Sequence, residues 1–257
     1  MIRCKTEQEI ENMREAGRIV ALAHKAIYDT IKAGITAKQI NQIVEDVILA
    51  NDAYPSFKGL YGFPAAACVS INNILVHGIP DDTVLRNGDI VSVDIGACYH
   101  GYHGDSAWTY AVGDVSKDVE NLLHISEESL YEGLKQAKAG NHLTDISHAI
   151  GEYVYAHGFS VPRDYAGHGI GTSVHEDPTV PNFGPAGHGI LLKEGMTLAI
   201  EPMVLAGRPQ TKVLADGWGV ISKDRSLSAH YEHTIVITKN GYEILTTLNK
   251  EERPDNG

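Results

Sequence analysis

The sequence predicts a mixed α/β fold of the α+β kind, one domain made of two similar halves. Two observations carry this. Residues 85–94 read L-R-N-G-D-I-V-S-V-D and residues 192–201 read L-K-E-G-M-T-L-A-I-E, so both fit L-[KR]-x-G-x-x-[VL]-x-[VI]-[DE] at an offset of 107 residues. The chain before each copy is also of one kind, two amphipathic helices followed by a loop and strands. A duplicated unit closing around a shared centre delivers a carboxylate from the same point of each half, Asp94 and Glu201. The halves cover about 1–115 and 116–249 of a single domain, and residues 250–257 (KEERPDNG) read as a flexible, solvated tail.

Each element follows from local chemistry. Thr6 with Glu9 three residues on is a capping box, and Ile10, Met13, Gly17, Val20, Ile27 and Ile31 space out a helix that Gly34 stops. Thr36 and Gln39 repeat the capping signature before Ile40, Ile43, Val44 and Val47, a second helix. Lys58 to Pro64 is Gly, Pro and aromatic punctuation, followed by the strand Cys68 to Ile71. Val91, Val93 and Ile95 alternate with Ser92, Asp94 and Gly96, a half-buried strand with Asp94 on its polar face. Gly101 to Val112 is the next strand. Ser116 opens a third helix, closed by Gly140, and Thr144 opens a fourth, ended by Gly158. From Phe159 onward the pattern is loop and strand.

Composition narrows the function. The chain has 257 residues, with 21 Lys plus Arg against 33 Asp plus Glu, a formal charge of −12, and 13 His. An acidic balance without a basic run argues against a nucleic-acid interface. No apolar stretch is long enough for a membrane span, and the N-terminus has no secretory pattern, so a cytoplasmic protein is expected. Cys4, Cys68 and Cys98 are too few and too widely spaced for a disulfide framework or a CxxC knuckle.

The chemistry lies in the acids. Asp94 is followed by Asp105, Glu201 by Glu232, and Gly167-His168-Gly169-Ile170-Gly171 lies between the halves. Carboxylates converging from strand interiors raise one another's pKa and are costly unless neutralised. Lys and Arg are scarce around them, so divalent cations such as Mn, Fe, Co or Zn are the natural partners of an oxygen-rich set.

The strings Val76-His77-Gly78-Ile79-Pro80, Val93-Asp94, Gly104-Asp105, Gly167 to Gly171, Val174-His175-Glu176, Ile200-Glu201-Pro202 and Tyr231-Glu232-His233-Thr234 resemble the type I methionine aminopeptidases over nearly the whole chain. The resemblance implies the pita-bread fold, a pseudo-twofold duplication with a central antiparallel sheet and flanking helices. It implies removal of initiator methionine from peptides and nascent chains whose second residue is small. Two divalent ions would be held by Asp94, Asp105, His168, Glu201 and Glu232, with Asp105 and Glu232 shared between them. Ions about 3.5–4 Å apart activate a water between them, with Glu201 as general base. His175 would face the scissile carbonyl oxygen and His77 the scissile nitrogen, while the substrate's free amine reaches the second ion. The 26 residues from His175 to Glu201 leave no room for the helical insertion of type II enzymes. A cytoplasmic monomer is expected, with the ribosome as a candidate docking partner.

The substrate pocket departs from the family pattern. Cys68, Phe63 and Trp218 stand where the family lines its methionine pocket, with Phe63 in place of a common Tyr. Leu60 stands where an aromatic is usual, Val174 where Phe often precedes the histidine, and His230 where Gln is usual. His103 shares the face of Asp105, His233 alternates away from Glu232, and His188-Gly189-Ile190 imitates the His77 motif without its Pro. An Xaa-Pro aminopeptidase and a non-catalytic binding protein of the same fold are the rival readings.

Overall fold

The structure, a computed structural model, describes residues 2–248. Residue 249 and the tail expected at 250–257 lie outside them. The first half runs through α1 (Glu7–Thr30), α2 (Ala37–Ala50), β1 (Tyr54–Pro55), β2 (Ala67–Ile71), β3 (Ile74–Val76), β4 (Ile90–Tyr99) and β5 (Tyr102–Ala111). The second opens with α3 (Lys117–Leu134) and α4 (Leu143–Ala156), then β6 (Gly167–Gly169), β7 (Glu176–Val180), β8 (Thr197–Ile200) and β9 (Met203–Leu205). It closes with β10 (Thr211–Val213), β11 (Val220–Ser222), β12 (Ser228–His230), β13 (His233–Ile237) and β14 (Tyr242–Ile244).

Both capping boxes form. The Glu9 carboxylate accepts from the Thr6 amide at 2.8 Å and the Gln39 side-chain oxygen accepts from the Thr36 amide at 2.9 Å. Two helix boundaries differ from expectation. Helix α1 stops at Thr30 because Ile31 is already extended, and Gly34, at φ +97°, turns the following loop. Helix α4 is capped from His142, not Thr144: the Asp145 carboxylate reaches back to the His142 amide at 2.8 Å, and the Thr144 hydroxyl donates to the His188 carbonyl instead.

The halves are built alike. Val91, Val93 and Ile95 of β4 pack under α1 and α2 against Ile19, Val20, Ile40 and Val44. Leu198 and Ile200 of β8 pack under α3 and α4 against Leu130, Ile146 and Ile150. Strand alternation then turns Ser92 and Asp94 in one half, and Ala199 and Glu201 in the other, toward the middle of the molecule. The half-buried strand expected at β4 is therefore covered on both faces, with Ser92 only 3% exposed. Its polar face looks onto a polar interior, not onto solvent.

Strand β4 lies antiparallel to β5 on one edge and to β2 and β1 on the other, while the second half forms the antiparallel sheet β14-β13-β8-β6-β7. A seam of hydrogen bonds joins β5 to the segment from β12 to β13. The Ser106 hydroxyl donates to the Glu232 carbonyl at 2.6 Å, and the Glu232 amide donates to the Ala107 carbonyl at 2.9 Å. The Asp105 amide donates to Thr234 Oγ1 at 3.0 Å, and that hydroxyl donates back to the Asp105 carbonyl at 2.7 Å. Behind β5, α1 crosses at Gly17, so close that a Cβ on Gly104 would fall 2.7 Å from the Gly17 nitrogen.

His24 of α1 sits between the same layers. Its Nε2 is 3.0 Å from the Ser106 carbonyl and its Nδ1 2.9 Å from the Tyr110 hydroxyl, which assigns a neutral ring with the proton on Nε2. Removal from water pushes its pKa down to about 4. A depressed folded-state pKa gives stability that is present above the ordinary value near ~6.5 and lost as pH falls toward the folded one. Unfolding titrations from pH 7 to about 4 are expected to show a smaller acid-induced loss in His24→Gln than in the native chain; equal slopes would remove His24 from the acid response.

No helix among the described residues is long and apolar enough to cross a membrane.

Candidate metal centre

Four acids from four segments meet at the seam. Asp94 comes from the middle of β4, opposite Cys68 of β2 and Ala107 of β5, and Asp105 comes from β5. Glu201 follows the last residue of β8, and Glu232 lies between β12 and β13. Asp105 and Glu232 are only 3% and 2% exposed. Their oxygens and two imidazoles form two overlapping groups, Asp94 with His230 and Glu232, and Asp105 with His168 and Glu232, each with its donor atoms within 4.8 Å of one another. Glu201 spans both, with Oε1 3.4 Å from His168 Nε2 and Oε2 3.5 Å from His230 Nε2.

These groups are not satisfied by the protein. Asp94 Oδ1, Asp105 Oδ1, Glu232 Oε1 and His230 Nε2 are buried without a hydrogen-bond partner. Among the described residues, the basic groups paired with Asp105, Glu201 and Glu232 are histidines, while the buried Lys5 ammonium is paired at 2.6 Å with Glu176. Burial therefore dominates the electrostatics. It raises Asp94 to about 6 and Glu201 to about 7. Asp105 and Glu232 are driven further up by burial and then by their neighbouring carboxylates. The buried rings of His168 and His230 are shifted down, toward the neutral form that can donate a lone pair. An oxygen-rich set with neutral imidazoles and several orphaned atoms fits divalent cations.

Local backbone explains the glycines around His168. A Cβ on Gly167 would lie 2.4 Å from the Ala199 carbonyl oxygen, and one on Gly169 would lie 2.1 Å from that of Asp177. Only Gly-His-Gly lets β6 pass between β7 and β8 at this point. His168 Nδ1 lies 2.9 Å from the Gly169 carbonyl, so it carries the proton and leaves the Nε2 lone pair facing Asp105 and Glu201.

His77 and His175 flank this centre. His77 stands at φ +59°, followed by Gly78, whose Cβ would fall 2.3 Å from the Val69 carbonyl oxygen. Burial brings the His77 pKa down to about 4. The His175 ring lies 4.5 Å edge-on from that of His168 and is stacked against Tyr61 at 5.8 Å. All of these open onto one cavity of about 620 Å³, whose apolar wall includes Leu60, Phe63, Cys68 and Trp218. Phe63 and Trp218 meet edge to face at 5.1 Å, and Val174 is buried in the same cluster.

The model of metallopeptidase family M24 matches residues 11–239. The chain belongs to metallopeptidase family M24. Within the family it is 56% identical to methionine aminopeptidase 1 of Bacillus subtilis over 248 residues, 96% of this chain and 100% of that protein. It is 44% identical to the methionine aminopeptidase of Escherichia coli K12, covering 98% of this chain and 96% of that one. Among solved structures, methionine aminopeptidase from Thermotoga maritima superposes with a TM-score of 0.95 at 47% identity, covering 96% of this chain and all of that one. Prolidase from Pyrococcus furiosus superposes with a TM-score of 0.79 at 25% identity, and this chain covers only 66% of it. The fold is thus the pita-bread fold of the M24 family.

In this M24 chain the residues singled out for the centre and the pocket line one cavity, except Val174, which is buried in the apolar cluster with Phe63 and Cys68. His103 is not in either donor group; its Nδ1 meets the Ser56 hydroxyl at 2.8 Å. His233 turns away to Thr246 Oγ1 at 2.8 Å, and His188 is exposed. The sequence alone marks His230 only as a departure near the pocket, whereas its ring sits inside the donor set. Its separation from Glu232 by two residues was the available signal. Tyr165, 6.1 Å from the His77 ring, and Asn182, whose amide donates to the Glu201 carbonyl at 2.9 Å, carry no local pattern that marks them.

Proposed function

We propose that the chain removes N-terminal methionine from peptides and nascent chains, preferring a small second residue, as a type I enzyme with two divalent ions. The observation that carries this reading is the juxtaposition of a buried, under-satisfied carboxylate and imidazole cluster with an apolar pocket in one cavity. Similarity to methionine aminopeptidases over full length supports the substrate. Between His175 and Glu201 the regular elements are β7 and β8, which supports type I. The setting we propose is the cytoplasm, with the chain acting as a monomer on emerging N-termini.

Asp94, Asp105, His168, Glu201 and Glu232 would hold the ions, identity Co, Mn, Fe or Zn. Bound divalent cations supply Lewis acidity and lower the pKa of water to near neutral. The protein's own groups do the rest. Glu201 is the proton acceptor: its carboxyl lies between two imidazoles, with Oε1 3.4 Å from His168 Nε2 and Oε2 3.5 Å from His230 Nε2. His175 donates to the scissile carbonyl oxygen as charge develops there, from a position fixed by the ring contacts with Tyr61 and His168. His77, pinned by its left-handed backbone and Gly78, meets the scissile nitrogen. Phe63, Cys68 and Trp218 enclose the unbranched thioether side chain.

Metal-loaded protein is expected to cleave Met-Ala-Ser and to leave Xaa-Pro peptides intact; the reverse preference would overturn the reading. Trp218→Ala opens the pocket wall and is expected to lower kcat/KM for Met-Ala-Ser by ~10–200-fold, mainly through KM. An unchanged KM would take Trp218 out of the pocket.

A further inference from the structure

We propose that His230 is a further donor of the metal centre, ligating through Nε2 the ion held by Asp94 and Glu232. The inference rests on the two-ion reading and goes beyond the ligand set carried over by resemblance, which has no residue at this position and expects Gln there.

Three observations carry it. His230 is 1% exposed, and its Nε2 is buried without a hydrogen-bond partner. That nitrogen shares a donor group with oxygens of Asp94 and Glu232. It stands 3.5 Å from Glu201 Oε2 and 3.6 Å from Glu232 Oε2. A ring acting as a charged hydrogen-bond donor would sit ~2.7–2.9 Å from a carboxylate oxygen. Two donors each ~2.1 Å from one shared cation and ~90–120° apart around it stand ~3–3.6 Å from each other. The observed spacing fits the second arrangement. The strand supplies the aim: His230 ends β12, its amide donates to Thr109 Oγ1 and its carbonyl accepts from that hydroxyl, both at 2.9 Å. Glu232, two residues on, emerges on the same face.

Without His230 the group around Asp94 offers oxygens alone, whereas the group around Asp105 already has His168. With it, each ion receives one imidazole. A nitrogen donor at the Asp94 ion raises its affinity for Co, Ni or Zn above that for Mn.

Stepwise Co(II) titration of metal-free protein, followed by calorimetry and visible absorption, tests this against His230→Gln, with circular dichroism checking the fold. One of the two Co(II) ions is expected to bind at least ~10-fold more weakly in the variant, with the other unchanged. Paramagnetic proton NMR of the fully loaded native protein gives a readout that needs no variant: two exchangeable, hyperfine-shifted imidazole N–H signals are expected, one each from His168 and His230. A single such signal, or two unchanged affinities in His230→Gln, would overturn the assignment of His230 and leave the two-ion reading standing. Failure of the native protein to bind two Co(II) ions would overturn that reading and the inference with it.

Discussion

Glu201→Gln lowers turnover of Met-Ala-Ser by at least ~10² at saturating metal without unfolding the protein. An amide of the same shape cannot accept a proton, and saturating metal offsets its weaker ligation, so the remaining loss is the proton transfer proposed for this carboxylate. The same change removes one of four mutually repelling acids from a buried cluster. A folded-state pKa raised to about 7 gives stability that is full below the ordinary glutamate value near ~4.3 and lost as pH rises through the folded one. The metal-free Gln variant therefore melts at or above the native temperature at pH 8, and the gain shrinks toward pH 5. Steady-state kinetics and melting curves check both halves. Near-native turnover would remove Glu201 from proton transfer.

Gly104→Ala is the second large effect. Gly104 faces α1 while Asp105, the next residue, faces the metal centre, so a methyl group on one side displaces a donor on the other. Its Cβ would fall 2.7 Å from the Gly17 nitrogen and 2.9 Å from the Gly17 Cα. Both are backbone atoms of a long helix that cannot rotate aside. Overpacking of this kind costs about 1–3 kcal/mol, and the strand shift that relieves it moves Asp105. Chemical denaturation is expected to show that loss, and Co(II) titration a weakened centre. A variant with native stability and native Co(II) affinity would show that helix and strand have room to separate.

What the sequence made legible is what short-range chemistry encodes. Thr6 with Glu9 and Thr36 with Gln39 cap helices by contacts three residues apart, and the structure has both. The repeated decapeptide points Asp94 and Glu201 the same way because side-chain alternation on a strand is obligatory, and both line one cavity. Alternation distinguishes two faces, however, and not which of them is wet, so β4 was expected to have a solvent face that the second half in fact covers. His142 carries no cap signature of its own because the capping carboxylate is supplied by Asp145, while Thr144 serves a distant carbonyl. Tyr165 meets the His77 ring far back along the chain, and its immediate neighbours carry no mark of that contact. The pairing of Lys5 with Glu176, 171 residues apart, is hidden for the same reason.

The seam between β5 and the segment from β12 to β13 has a consequence for when the centre comes into being. Its hydrogen bonds join Asp105 to Thr234, 129 residues further along, and Ser106 to Glu232, 126 residues further. Contacts of such separation close late in folding, after the local elements have formed. Asp94 and Asp105 are made early in synthesis, yet they meet Glu201 and Glu232 only when the last strands arrive. Neither half alone offers the full donor set, so a partly made chain has little with which to sequester a cation. Metal loading thereby becomes a report that both halves have been made and have docked correctly.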